Sequence, residues 1–550
     1  MAQVEMERGE EGSEMKNAVQ CVIFLAVVGL AAAPAFAAEL RTTGFIDNVF
    51  PHYERNISDP GADNDVTRNS DSAMYGRTRG ILFFNFLASD DLRGVIGIEL
   101  DSVWGLPRRD LAGSGCRADP SLGIYQFNCA GFQQNNDINN FELKHNYVDF
   151  RIPQLPIGNR TQLGGLPIFA TPLHNQLIMH GDFGGGQTRL TFTDQVSLML
   201  YYAQLEENVE TFHGLGNAGL GEDYATGATL QLRPIDGLDL HLVGVYGHLH
   251  NPFGTLLTGN GGPFHSIQND PTNVTTESRY YLGFDSRYRL GNLSLEPFFV
   301  YLLGARNFCA PGTLINTTGV GNPVACTSRV GSPSSTNFNA YVGSFVARYT
   351  TGPWLLQAKY AYASGNRAND DINNRGIGNR ADVNNYRAMT TDGSPIWDEW
   401  FEILGRSEVD GNSTQTFRRW AESGTADRFG WQVVGAHPEY QLSDNLVLEG
   451  AAGGFWTAGM RTACPAVLRV GSITGPCGGP LNSSGEPIYN FTGRSNFLGW
   501  EVATGLRYTI MPGLTWTPRI AYAGYGEAFA ANDRRAQGAW FFANRMIYIF

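Results

Sequence analysis

The sequence predicts an all-β chain folded as a membrane-spanning, antiparallel up-and-down β-barrel of about 18 strands, within roughly two of that number. Three observations predict it. Segments of strand length alternate apolar and polar residues with period two. Short connections alternate with long polar ones. The chain ends on an aromatic-alternating segment, Met546-Ile547-Tyr548-Ile549-Phe550.

The N-terminus predicts export. An apolar run over 18–33 follows Met15 and Lys16 and leads to Ala35-Phe36-Ala37. A basic start, an apolar stretch and a small-x-small end make a secretory signal peptide, with cleavage expected after Ala37. Residues 1–14 carry five Glu against one Arg, which does not suit a signal, so translation is expected to start at Met15. The chain then divides into 1–37, extension plus signal, and 38–550, a single barrel domain.

Composition removes other classes. Charged residues make up 17% of the 550, against about 25% in ordinary soluble domains. The formal net charge is −13, and a nucleic-acid binder carries a basic footprint instead. Mean hydropathy is −0.21. Only the signal run approaches the ~20 apolar residues of a membrane helix, which excludes a multi-span helical protein. Lysine is confined to Lys16, Lys144 and Lys359, so arginine supplies almost all the positive charge.

The alternation is clearest in three places. Leu92, Gly94, Ile96, Ile98 and Leu100 share one face, opposite Arg93, Val95, Gly97, Glu99 and Asp101. Tyr280, Leu282, Phe284, Ser286 and Tyr288 oppose Arg279, Tyr281, Gly283, Asp285, Arg287 and Arg289. Leu498, Trp500, Val502, Thr504, Leu506 and Tyr508 oppose Gly499, Glu501, Ala503, Gly505, Arg507 and Thr509. The segment 141–152 has no clean phase. Such ribbons fit either a soluble sandwich or a barrel with lipid outside and water inside.

The connections favour the barrel. Tight turns fall at 89–91, 154–159, 193–195, 234–237, 290–292, 351–353, 443–445 and 511–513. Long polar stretches fall between them at about 51–73, 106–138, 171–185, 208–222, 251–276, 306–337, 366–425, 459–491 and 529–536. Short periplasmic turns and long extracellular loops are the pattern of outer-membrane barrels. Eight turns and nine loops join 18 strands.

Trp540, Phe542, Met546, Tyr548 and Phe550 share a face of the last strand, and this ending resembles the assembly signal of bacterial outer-membrane barrels. With the signal peptide and the alternation, the mature chain resembles the large substrate-specific porins. More narrowly it is similar to 18-stranded alginate-export barrels, through Tyr147-Val148-Asp149-Phe150 and Gln162-Leu163-Gly164. It carries Gly164-Gly165-Leu166 where that type has a Gly-Arg-Gln triplet. The resemblance implies a location in the bacterial outer membrane. Its implied partners are lipid and lipopolysaccharide, the barrel-assembly machinery and a small-solute substrate, with a homotrimer or a periplasmic cytochrome partner left open.

A barrel of 18 strands about 4.8 Å apart, tilted about 40°, has a backbone diameter of roughly 35 Å, too wide for wall side chains alone to fill. The expected pore-lining residues are Arg77, Arg79, Arg93, Glu99, Asp101, Arg189, Arg233, Arg279, Asp285, Arg287, Arg289, Glu296, Arg348, Glu501, Arg507, Arg519 and Arg545, with Asp239 and Glu449 on the same face. This set leans positive, and rings of Arg favour anions. Cross-strand pairing of these charges is the plainer expectation. The segment 366–425, with Trp397, Trp400, Phe401 and Trp420, is read either as a constriction folded into the barrel or as an outer cap.

Six cysteines remain after the signal, spaced 13, 17 and 13 as Cys116 with Cys129, Cys309 with Cys326, and Cys464 with Cys477. In an exported chain these are expected as three disulfides, each closing its own loop. No motif binds haem covalently. His248 and His250 share a face without a convincing third metal ligand, so neither cofactor nor metal is expected. No nucleophile-elbow motif is present, and no enzyme is expected. The functional expectation is a channel for passive diffusion of small polar or anionic solutes. The alternatives are an exporter of an anionic polysaccharide and the sheath of a porin–cytochrome electron conduit.

Overall fold

Period-two segments present one apolar and one polar face, and a sheet of them leaves no open edge only by closing on itself. The computed structural model, which describes residues 38–54, 73–74, 76–104, 140–173, 177–206, 223–250, 274–309, 333–365, 386, 388–390, 400–405, 430–458, 495–526 and 538–550, shows this closure.

Eighteen long strands follow in chain order. They are β1 (Glu39–Glu54), β2 (Gly76–Ser89), β3 (Leu92–Trp104), β4 (Asn140–Phe150), β5 (Gly158–Phe169) and β6 (Met179–Thr193). Next come β7 (Val196–Glu206), β8 (Asp223–Leu232), β9 (Leu238–His250), β10 (Val274–Leu290), β11 (Leu293–Cys309) and β12 (Pro333–Thr351). The last are β13 (Trp354–Ala363), β14 (Trp431–Ser443), β15 (Leu446–Trp456), β16 (Phe497–Met511), β17 (Leu514–Tyr525) and β18 (Ala539–Ile549). Each pairs antiparallel with its neighbours in sequence, and β18 returns to β1 from Phe45 opposite Ile549 to Glu54 opposite Trp540. Ala73–Met74 extends β2 along β1. No described residue is helical.

All eight tight turns lie where the sequence predicts them. Four hold glycine at positive φ, Gly237 at 81°, Gly291 at 56°, Gly352 at 55° and Gly513 at 82°, where a β-carbon is disfavoured. The nine long connections share the opposite end. The fourth agrees with expectation to one residue, β7 ending at Glu206 and β8 starting at Asp223; in the third, β6 resumes at Met179, inside the stretch 171–185 read as loop, and the sixth is shorter at both ends, between Cys309 and Pro333.

Large apolar side chains face outward and are exposed on strand after strand, among them Ile96, Leu242, Leu282, Phe345, Val502 and Phe542. Aromatic side chains collect towards the strand ends. Tyr202, Tyr224, Tyr246 and Tyr280 form a contacting row near the long-loop end, and Trp354 lies against Tyr440 near the short-turn end.

Two β-bulges explain where alternation was hard to read. In β4, Gly97 pairs with His145 and Ile98 with Leu143, so Lys144 is the extra residue. Lys144 and His145 therefore both turn to the inner face, which breaks the phase of 141–152. In β16, Phe455 pairs with Gly499 and Trp456 with Phe497. Leu498 is consequently fully buried rather than outward beside Trp500, a correction to the sequence reading.

Candidate functional site

The inner face is the candidate site. Every expected pore-lining residue whose side chain is described projects from that face or, for Arg233, from its rim. Asp101 lies on β3, but its side chain falls outside the described residues. The inward charges are joined across strands. Asp47 accepts from Arg545 at 2.9 Å and lies 3.8 Å from Arg77. Glu99 meets Arg79 at 2.9 Å and Lys144 at 2.6 Å. Glu449 meets Arg507 at 2.6 Å, and Asp239 lies 3.6 Å from Arg233.

Towards the short-turn end the stoichiometry becomes uneven. Asp149 takes two arginines, Arg93 at 2.6 Å and Arg160. Glu296 also takes two, Arg287 at 2.7 Å and Arg348 at 3.4 Å. Arg189 and Arg289 have no acidic partner among the described residues. Arg287, Arg289, Arg348 and Glu296 border an open recess of about 370 Å³, together with Ser294 and Thr350. One carboxylate facing three guanidiniums leaves that recess positive.

Several expected lining residues are instead covered. Arg279, Asp285, Glu501 and Arg519 are all at most 4% exposed. Two segments folded into the barrel cover three of these. The first is the tip between β5 and β6. The Leu173 N–H donates to Asp285 at 2.7 Å, and Thr229 Oγ on β8 donates to the Ala170 carbonyl at 2.8 Å. Tyr386 and Met389 pack behind this tip. The Tyr386 hydroxyl donates to the Leu177 carbonyl, the Met389 N–H donates to Ile178 O at 2.6 Å, and Met389 pairs in parallel with Met179. Burial pushes the Tyr386 phenol well above the usual tyrosine range.

The second segment is 400–405, docked on β14–β17. Glu501 accepts the backbone N–H groups of Glu402 at 2.6 Å, Ile403 at 3.1 Å and Leu404 at 2.6 Å. Arg519 lies 3.1 Å from Glu402. Phe401 rests where Gly435 and Gly453 have no side chain; a β-carbon there would stand 2.7 Å and 2.3 Å from its ring. Trp400 stacks on His437 at 5.3 Å between centroids, and Lys359 Nζ sits 4.6 Å over its ring. Of the two readings of the long segment 366–425, its described residues thus follow the one that folds it inward.

Sequence reasoning missed Asp47, Lys144, His145, Asp149, Asp182, Glu402 and Glu439 as wall charges. Asp149 was visible in principle, two residues after Tyr147 in the same phase. Lys144 and His145 were hidden by the bulge, and Glu402 lies in no strand. Tyr548 and Phe550 face outward at the closing seam. Cys309 ends β11 at the long-loop end; its side chain and the cysteines at 116, 129, 326, 464 and 477 lie outside the described residues, as does the signal region 1–37. His248 faces outward against Tyr224 and Tyr246. Among the described residues no three His, Cys, Asp or Glu side chains gather as a metal site.

The fold and site therefore define a closed 18-stranded antiparallel barrel with an apolar exterior and a charged, ion-paired interior. No protein-family model matches the chain, and no curated protein matches it. Solved structures of similar fold include OccK8 (OprE) of Pseudomonas aeruginosa, 11% identical over 94% of this chain and 99% of that one, with a TM-score of 0.42. They also include the outer membrane protein OprD of Pseudomonas aeruginosa, 12% identical over 94% and 95%, TM-score 0.42. OccAB1 of Acinetobacter baumannii is 10% identical over 94% and 99%, TM-score 0.42. At such identities and scores, the chain's own geometry has to carry the reading of function.

Proposed function

We propose that the chain is an outer-membrane channel for passive diffusion of small polar solutes, with a preference for anions. The observation that carries this reading is the opposition of its two faces: exposed Leu, Phe, Tyr and Trp outside, and paired charges with an arginine surplus inside. A closed barrel satisfies its backbone hydrogen bonds strand to strand, which is what a hydrocarbon solvent demands. Its apolar band then meets lipid, and its rows of aromatics sit at the interfaces. Barrels of this size enclose an aqueous path, and inward arginines favour anions in it.

The inward residues 170–173, 177–178 and 400–405 take up space that a sheathed haem protein or a passing polymer needs. They favour a small solute over either alternative. The reading is tested by conductance of the refolded mature chain in a planar lipid bilayer under a salt gradient. Stepwise currents with a reversal potential on the anion side support it. A clear cation preference rejects the anion part, and the absence of any current rejects the channel.

A further inference from the structure

The outer face of β18 presents Trp540, Phe542, Asn544, Met546, Tyr548 and Phe550 in turn. Trp540 belongs to a contacting row with Tyr522 and Trp500, and Tyr548 lies against Phe550. These two aromatic levels mark the edges of the apolar band, which in outer-membrane barrels is about 25 Å tall. Asn544 is exposed midway between them. At ~3.3 Å per residue and a ~40° tilt, it lies about 10 Å along the barrel axis from each of Trp540 and Tyr548.

The Asn544 carboxamide has no hydrogen-bond partner among the described residues. It faces Pro518 on one side and Phe50 on the other, and neither side chain bonds to an amide. Diagonally across on β1, Asn48 also faces outward, opposite Met546. Its Oδ1 accepts from Thr78 Oγ1 on β2 at 2.6 Å, and the other end of this carboxamide has no partner among the described residues. Other outward polar side chains turn back onto their own wall. Ser286 donates to the Pro297 carbonyl at 2.9 Å, Thr504 to that of Glu449 at 3.0 Å, and Thr226 to that of Tyr201 at 3.1 Å.

Hydrocarbon offers neither donor nor acceptor, and an amide left bare in it is costly. An irregular segment of this chain does not serve these amides at that depth, because its own backbone groups would be stranded in lipid. The occupant that fits is a second wall whose backbone is already satisfied strand to strand.

We propose that the outer face of β18, β1 and β2 is the contact between copies of this chain, closed at mid-membrane by hydrogen bonds from Asn544 and Asn48. All copies insert in the same direction, so the axis relating them runs along the membrane normal. Each residue then meets residues at its own depth. Asn544, Asn48 and Thr78 lie within about 3 Å of one depth, the axial step between paired residues on neighbouring strands at a ~40° tilt. A carboxamide both donates and accepts, so the spot is complementary to itself, as a contact between identical copies requires. Beside it, a β-carbon on Gly80 would meet nothing within 4 Å, which leaves a notch for a side chain of the second copy.

This inference uses the lipid-facing exterior of the channel reading but not conduction, and it is tested apart from current. In the first arm, full mature chains labelled at the N-terminal amine with a donor or an acceptor fluorophore are mixed in lipid vesicles at falling protein-to-lipid ratios. Energy transfer in the wild type should exceed that of randomly placed barrels. Asn48→Leu with Asn544→Leu should weaken association at least tenfold, while the barrel keeps its compact electrophoretic mobility and melts no earlier. Phe345→Leu, on the outer face of β12, should leave association unchanged. In the second arm, a photo-reactive benzophenone side chain at position 544 is irradiated in the membranes of expressing cells, and the product is mapped by mass spectrometry. The expected product has twice the chain mass and joins position 544 to β18, β1 or β2 of a second copy. Transfer at the random level in the wild type overturns the proposal. So does a folded double variant that associates as tightly as the wild type, an equal loss in Phe345→Leu, or a photoproduct with lipid alone, with the same chain or with another protein. Barrels that associate but carry no current leave this contact standing and reject the channel reading; a conducting monomer does the reverse.

Discussion

Phe550 and Gly44 exchange both of their backbone hydrogen bonds, each at 3.0 Å, and so complete the seam between the last strand and the first. Gly44 has no room for a side chain, because a β-carbon would stand 2.2 Å from the Ile81 carbonyl oxygen. Gly44→Val therefore forces β1 away from β2 or from Phe550. Overpacking of this kind costs about 1–3 kcal/mol. The folded barrel should lose its compact electrophoretic mobility at a lower temperature than the wild type; an unchanged transition contradicts the seam.

How far the fold could be read from sequence depends on whether local pattern or long-range contact decides it. In β3 and β10 the residues facing lipid and lumen alternate strictly, so Leu92 to Leu100 and Arg279 to Arg289 could be placed by period alone. The turns at Gly291 and Gly352 announce themselves by composition. A bulge shifts the phase by one residue and carries no local mark, which hid Lys144 and His145 and misplaced Leu498. The inward segments are harder still. Phe401 is docked by Gly435 and Gly453, and Glu402 to Leu404 by Glu501, partners about 30 to 100 positions away that no periodicity connects. Gly165 and Leu166, the two positions that depart from the alginate-export triplet, lie where the pairing of β5 with β4 ends.

Glu501 is the anchor of the docked segment. Glu501→Ala leaves the N–H groups of residues 402–404 without their acceptor, and each buried donor so stranded costs about 1–3 kcal/mol. The expected outcome is faster hydrogen exchange at these three amides and a larger unitary conductance, with the barrel strands still protected. Protection of 402–404 as in the wild type shows that Phe401 and Trp400 suffice to hold the segment.

Asp149 and Arg289 tune the charge at the short-turn end in opposite directions. Asp149→Asn removes the carboxylate shared by Arg93 and Arg160, so anion preference should rise while thermal stability falls. Arg289→Glu places a negative group in the recess beside Glu296, and the reversal potential should move towards cations. Both shifts should shrink as salt is raised, because mobile ions screen charges beyond about 10 Å at 0.1 M. Reversal potentials at two ionic strengths check this; movement of both variants in the same direction is inconsistent with it.

The lipid-facing band has its own signature. Leu242 points outward from the middle of β9 and is 42% exposed. Leu242→Arg should destabilise the barrel by about 2–4 kcal/mol in a bilayer, the cost of an arginine near the midplane of an outer-membrane barrel. Equilibrium denaturant titration in lipid vesicles measures it, with an Arg substitution at the inward Gln187 as the reference that should cost much less.

The most direct measurement is the current through the reconstituted mature chain with unequal potassium chloride on the two sides of a planar bilayer. A water-filled tube walled by these eighteen strands predicts unitary steps and a zero-current voltage set mainly by chloride. A polypeptide that stays dissolved without detergent and leaves the bilayer silent contradicts it.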